Sequence, residues 1–337
     1  MKRKTLTGLA IVGGVIVLAA VSLLRFDIHV TAGRCTADDE IPAPERGAIE
    51  KAALQMVQTI LAGHFDAAYA ELTPDAQQAV PLDKFVAVSK QETKSVGTDS
   101  NLRVARTYLL TGTVGTDSRI VCGTLAQPQD WVSVAAKANV KQAHVVVEAQ
   151  TKNNRWSFIL WLISMPEWRV QYGWLAVSDV AGKSSQDLWD LARAEQKQKH
   201  DFNAAILFIS ANQLADRGPN FQLGIQPGIQ DDLKKQTVPA IIAGQAPFTW
   251  KLGAETFKVL HVGPVGVDGK LYLSIAQELP VWSGDSEADA TNRKLIHEFA
   301  DAVPEFSAVF AGFVVEAYDE NRDRGYRTVD AATGQQK

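Results

Sequence analysis

The chain has 337 residues, of which 46% are hydrophobic and 21% charged, enough apolar content for two folded domains of ordinary size with a smaller appendage. Its formal charge of −4 hides an asymmetry: four of the 34 bases (Lys2, Arg3, Lys4, Arg25) fall in an acid-free stretch of 25 residues, leaving 30 bases against 38 acids, or −8, for the rest. A body of that sign, without a basic stripe interleaved with aromatics, excludes nucleic acid as an expected partner.

Residues 5–24, TLTGLAIVGGVIVLAAVSLL, contain no charge. Twenty helical residues rising ~1.5 Å each span about 30 Å, the hydrocarbon thickness of a bilayer. The three bases before this run put residues 1–4 in the cytoplasm and the body on the other side, as a single-pass protein of an inner (cytoplasmic) membrane with lipid as its first partner. The other reading is a cleaved signal peptide, with Val30-Thr31-Ala32 as a small-residue cleavage site, although the run is longer than the roughly 7–15 residues usual for such signals. Arg34 before Cys35 excludes a lipid-modified cysteine. Ala10 and Gly14 form a small-xxx-small pair that permits weak dimerisation through the anchor. The only two cysteines, Cys35 and Cys122, form one disulfide in an oxidising compartment or stay two separate buried thiols.

Residues 25–46 read as a linker: TADDEIPAPERG holds four acids and two prolines, the composition of an extended spacer. From Ala48 the positions Ile49, Ala52, Met56 and Ile60 repeat every 3.6 residues, predicting an amphipathic helix that ends near Gly63. A short helix over Phe65–Leu72 and two helical pieces in PDAQQAV and PLDKFVAVSKQ follow. Next come strand-like runs at Arg103–Val114, Ile120–Leu125, Trp131–Ala138, His144–Gln150, Trp156–Met165 and Trp168–Val177. Helices first and hairpin-linked strands afterwards predict an α+β architecture.

The opening helix with LAGHFDAAYAELTPDAQQAV, then PLDKF, then HVVVEAQ, WSFILWLI and EWRVQYGWLAV, resembles the nuclear transport factor 2-like (cystatin-like cone) superfamily over about residues 47–180. The resemblance implies helices packed into a curved antiparallel sheet. In GHFDAAYAEL it implies that Gly63 ends one helix, that His64 or Asp66 caps the next, and that Phe65 and Tyr69 are core contacts rather than parts of a catalytic group. It also implies a sheet face that lines a pocket in some relatives, for small apolar substrates or for protein partners. Strand alternation puts Trp168, Val170, Tyr172 and Trp174 on one face. Trp168, Tyr172 and Trp174 are therefore the candidate pocket wall, with His144 and Glu148 as candidate polar groups. The other reading of the same residues is plain core against the first helix.

Residues 181–243 predict a helical hairpin meeting near His200-Asp201, capped by Ser184 or Ser185, followed by a glycine-punctuated crossing at Gly218–Gln230. Residues 244–330 predict a small antiparallel α+β domain: strands at Phe248–Leu252, Thr256–Val262 and Lys270–Gln277, a GPVGVDG turn between the latter two, a helix at Asp289–Ala302 capped by Ser286 or Asp289, and strands at Ser307–Tyr318 and Tyr326–Val329. Residues 331–337 form a tail.

Six histidines are scattered singly, without HExxH or CxxC, so no metal or cofactor is expected. No G-x-S-x-G elbow appears, and no catalytic residue is assigned. The expected function is therefore a non-enzymatic interaction or scaffold protein of a bacterial-type cell envelope, facing the periplasm and contacting another envelope protein. The alternative is a membrane-tethered binder or enzyme using the first domain's cavity for a small apolar molecule.

Overall fold

The computed structural model describes residues 33–331, without 98, 99, 113, 114, 152, 153 and 244. Residues 5–24, the Ala10–Gly14 pair and all but the first residue of the 331–337 tail lie outside the described residues. Among the described residues no helix is long and apolar enough to cross a membrane.

In chain order the elements are β1 (Arg34–Ala37), α1 (Ala43–Leu61), α2 (Phe65–Ala70), α3 (Pro74–Ala79), α4 (Leu82–Thr93), β2 (Asn101–Thr111), β3 (Ser118–Gly123), β4 (Trp131–Ala136), β5 (Gln142–Gln150), β6 (Asn154–Ser164) and β7 (Trp168–Val180). They continue with β8 (Lys183–Ser184), α5 (Ser185–Gln198), α6 (Asp201–Ala215), β9 (Phe221–Leu223), α7 (Gln226–Lys235), β10 (Phe248–Leu252), β11 (Glu255–Val267), β12 (Lys270–Glu278), α8 (Asp285–Ala302), β13 (Gly312–Tyr318) and β14 (Gly325–Ala331). The fold is mixed α+β and includes a curled antiparallel half-barrel sheet. The chain divides into two compact units, one holding residues 33–178 with Leu214–Pro227 and the other Asp179–Gln213 with residues 228–331.

In the first unit the main sheet runs β1-β2-β5-β6-β7, and a second, three-stranded sheet runs β3-β4-β9. Strand β5 shows why both faces of the main sheet are covered. Ala143, Val145, Val147 and Ala149 point to one side, where they pack with Ile49, Ala53, Met56 and Val57 of α1. The alternate residues point to the other side, where Tyr108, Leu110 and Ile159 meet Ile120, Cys122, Val132, Val134 and Phe221 of the second sheet and its flank. Burial on both faces explains the near-continuous apolar runs HVVVEA and WSFILWLI, which lack a clean polar alternation.

The predicted spacer is corrected from residue 34 onward. Arg34–Ala37 is an edge strand in register with Tyr108–Thr111 of β2, and Ile41 is 2% exposed. Asp38 accepts a hydrogen bond from the Thr107 backbone N–H at 2.9 Å and pairs with Arg106 at 2.6 Å. The prolines that suggested an extended linker instead begin a helix, for Pro44 lies in the first turn of α1, where its missing N–H costs nothing. Cys35 of β1 is bonded to Cys122 of β3, with their Cα atoms 5.4 Å apart.

The GHFDAAYAEL segment is a bend between helices. Gly63 adopts φ +78°, a left-handed conformation that favours glycine, and His64 stands at the start of α2 without a capping hydrogen bond from its side chain. The Tyr69 hydroxyl lies 2.9 Å from the carbonyls of Gln77 and Val80, tying α2 to α3.

In the second unit the sheet order is β10-β11-β12-β13-β14. The expected purely antiparallel arrangement is corrected at one place: β12 and β13 pair in parallel, Leu273 beside Phe313 through Glu278 beside Tyr318. The intervening α8 supplies the crossover that parallel neighbours require. The GPVGVDG turn shrinks to Asp268-Gly269, at φ +47° and +75°, because residues 263–267 remain in β11. Helix α8 starts after Gly284 without a side-chain cap, so Ser286 and Asp289 are not caps; Asp289 instead accepts from Thr328 Oγ1 at 2.7 Å. Strand β13 begins at Gly312, later than predicted, because residues 304–308 form a 3₁₀ turn. Helix α5 opens with a capping box between Ser184 and Asp187. Helix α5 and residues 201–213 of α6 fall in this unit.

The disulfide closes a loop of 87 residues. Replacing both cysteines by alanine is expected to lower unfolding free energy by about 2–5 kcal/mol, on the chain-entropy argument. Urea unfolding of the oxidised protein against the double variant measures it; equal midpoints would show that the bond contributes nothing.

Candidate functional site

A cavity of about 60 Å³ lies in the first unit between α1, α4 and strands β6 and β7. Met56 and Ile60 of α1, Phe85 and Val88 of α4, and Phe158 and Leu160 of β6 line it, with residues 171–175 of β7 as the remaining wall. The α4 side follows from helix geometry: Phe85, Val88 and Glu92 are spaced i, i+3, i+7 and so share a face. The lining is mostly apolar and includes two side chains that can carry charge at neutral pH, Lys84 and Glu92. Neither forms a hydrogen bond or ion pair among the described residues. Burial holds the Glu92 carboxyl above the ordinary range.

Of the residues singled out in the sequence, Tyr172 and Trp174 belong to the cavity wall. Burial, reinforced by the Asp216 carboxylate, pushes the Tyr172 phenol up, so it stays protonated. The expectation that Trp168, Val170, Tyr172 and Trp174 share one face is corrected. Trp168 and Val170 pack on the helix side, but so do Leu175 and Val177, an odd number of residues further on. The alternation therefore switches between 170 and 175, around Gly173, a glycine inside a strand. Trp174 consequently packs with the core between the two sheets. Gly218 covers it: a Cβ there would stand 2.6 Å from Trp174 Cδ2, so only glycine fits.

His144 and Glu148 share a strand face, but it is the face turned away from the helices. His144 is fully buried and stacks on Trp161 with ring centroids 5.4 Å apart. Its Nε2 lies 2.8 Å from the Ala135 carbonyl, which can only accept, so the proton is on Nε2. Nδ1 is then a bare acceptor, buried without a partner. Burial, together with the nearby Arg119 cation, drives the imidazole pKa down to about 4 against the help of the Ala135 bond. Glu148 is held by Arg103 at 2.5 Å and Arg155 at 3.6 Å. Both residues hold sheets and strands together and neither faces the cavity.

Nearby, Arg217 is buried, and burial lowers its pKa to about 10. Its guanidinium donates to the backbone carbonyls of Leu214 and Asp216, which close off the segment leading to β9. Among the described residues no group of three or more His, Cys, Asp or Glu could hold a metal. Sequence reasoning missed Lys84, Phe85, Val88 and Glu92; the signal was the spacing within PLDKFVAVSKQE, residues 81–92. Comparison of the chain with family models, curated proteins and solved structures finds no match.

The buried neutral histidine fixes a pH dependence. Its folded pKa of about 4 lies below the ordinary 6.5, so between these values the unfolded chain binds the extra proton. That stability is complete above pH 6.5 and is lost as pH falls toward 4, by up to roughly 3 kcal/mol. Urea midpoints of the wild type are expected to fall over this window, with a shallower slope in His144→Gln; parallel slopes would refute the assignment.

Proposed function

We propose that this chain is a membrane-anchored, extracytoplasmic interaction protein of non-enzymatic type, with a nuclear transport factor 2-like first unit that grips one apolar side chain of an envelope partner. The observation that carries this reading is the cavity's size and lining. Small-molecule sites typically enclose about 300–1,000 Å³ with several convergent polar groups. A volume of about 60 Å³, with a lining that is almost wholly apolar, suits a single leucine, methionine or phenylalanine side chain better than a free ligand. The unpaired Glu92 at its wall favours a lysine or arginine beside that anchor, since a half-buried carboxylate gains most from a cationic partner.

Four helices against one face of a curled antiparallel sheet support the family reading, and the Cys35–Cys122 bond supports an oxidising compartment outside the cytoplasm. The anchor itself rests on the uncharged run at residues 5–24 and the bases before it.

A photo-crosslinking residue at Val88 of the full chain in cells tests the grip. A discrete protein adduct is expected, with its yield falling about tenfold in Glu92→Lys, the effect of losing one charge-assisted contact worth ~1.4 kcal/mol. No protein adduct, together with a small molecule co-purifying in stoichiometric amount, would overturn it in favour of the ligand-binding alternative.

A further inference from the structure

We propose that the outer face of the β3-β4-β9 sheet rests on the bilayer surface and orients the body above the membrane. The inference depends on the anchor reading above and adds to it a contact that the anchor does not require.

Three apolar side chains carry it. Leu125, in the loop after β3, is 71% exposed, and Val121 of β3 is 42% exposed. Trp131 of β4 stands opposite Gly123, so it shares the face of Val121. Cys122, by alternation, points the other way into the core, where it is 1% exposed. Gly123 adopts φ +95° and a Cβ there would meet the Asp130 carbonyl at 2.0 Å, so the loop must fold tightly at this point and present Leu125 outward. Residues 124–129, TLAQPQ, carry no charge. Leucine and valine beside a half-buried tryptophan is the composition that sits at a membrane–water interface.

Chain connectivity decides the occupant. The Cys35–Cys122 bond fixes the first strand of the body 5.4 Å, Cα to Cα, from the strand that bears Val121. Nine residues lie between Leu24, the end of the apolar run, and Arg34, so the chain spans at most about 35 Å there. Leu125 is three residues beyond Cys122, so the exposed leucine is held close to the point where the tether enters the body. Arg34, exposed next to Cys35, adds a cation suited to lipid phosphate, while the neighbouring Asp38 and Asp39 are already paired with Arg106 and Arg46. A tether also raises the local concentration of the face at the lipid to roughly millimolar, so a weak contact suffices to hold it.

The test is the full-length protein in nanodiscs of phosphatidylcholine doped with a diazirine-bearing phosphatidylcholine. After photolysis, reduction and trypsin, the peptide covering residues 120–137 is expected to carry lipid adducts. Leu125→Glu is expected to cut that yield about fivefold or more, through loss of a leucine's transfer free energy, while labelling of residues 5–25 is unchanged. Labelling of residues 5–25 with none on 120–137 would overturn the proposal and leave the anchor standing. Slowed hydrogen exchange over 120–137 without lipid label would give the face to a second copy of the chain, which also overturns it. Release of the unlabelled protein from the discs by alkaline washing would remove the anchor reading and this contact together.

Discussion

Burial of the main sheet on both faces is the constraint from which the rest of the first unit follows. Helices cover one side and the β3-β4-β9 sheet covers the other, so β5 and β6 have no solvent face along most of their length. Such a sheet cannot carry polar groups without placing them inside a core. Several of those it does carry are tied down, while His144 Nδ1, Asn154 Oδ1 and Trp156 Nε1 are buried without a hydrogen-bond partner. The Gln142 amide donates to the Lys137 and Val140 carbonyls while its Oε1 accepts from the Lys137 N–H and the Trp161 indole, and the His144 ring is bound to Ala135. The disulfide works at the edge of this arrangement, where β1 and β3 meet without sharing a hydrogen-bonded ladder.

Function is then pushed to the places the layers leave open. On the helix side Phe85 and Val88 of α4 line a small, mostly apolar cavity, while Glu92 on the same stripe has no hydrogen-bond or ion-pair partner among the described residues. On the far side, the loop after β3 carries Leu125, 71% exposed, and the outer face of the second sheet carries Val121 and Trp131. On the proposed reading, one opening takes a partner's side chain and the other lies against lipid, so that grip and orientation fall on opposite sides of the three layers.

Much of this was legible in the sequence, and the failures have physical causes. The stripe Ile49, Met56, Ile60 announced α1, and the β-branched and aromatic runs announced β2 to β7, because amphipathic and apolar periodicities survive tertiary packing. Strand β1 was hidden because four residues, RCTA, carry too little pattern to outweigh the acids and prolines after them. The parallel pairing of β12 with β13 is decided by where α8 carries the chain, which no local pattern encodes. His144 and Glu148 were assigned to one face correctly, but which face looks at helices depends on register, and a second sheet on the opposite side was not foreseen. The parity switch near Gly173 misplaced Trp174 for the same reason: period-2 counting assumes an unbroken strand. The candidate site itself was half visible, its β7 wall through the aromatics and its α4 wall not at all.

Compartment and fold meet at the pair Cys35 and Cys122, since the account needs a body that matures outside the cytoplasm with its first strand fastened to the second sheet. The most direct measurement is differential alkylation of the full-length protein in intact, acid-quenched cells. The account predicts that neither cysteine reacts with maleimide until a reductant is added and that a cross-linked peptide pair containing both is recovered. Alkylation of both cysteines without reductant would contradict it, and with it the proposed location and role.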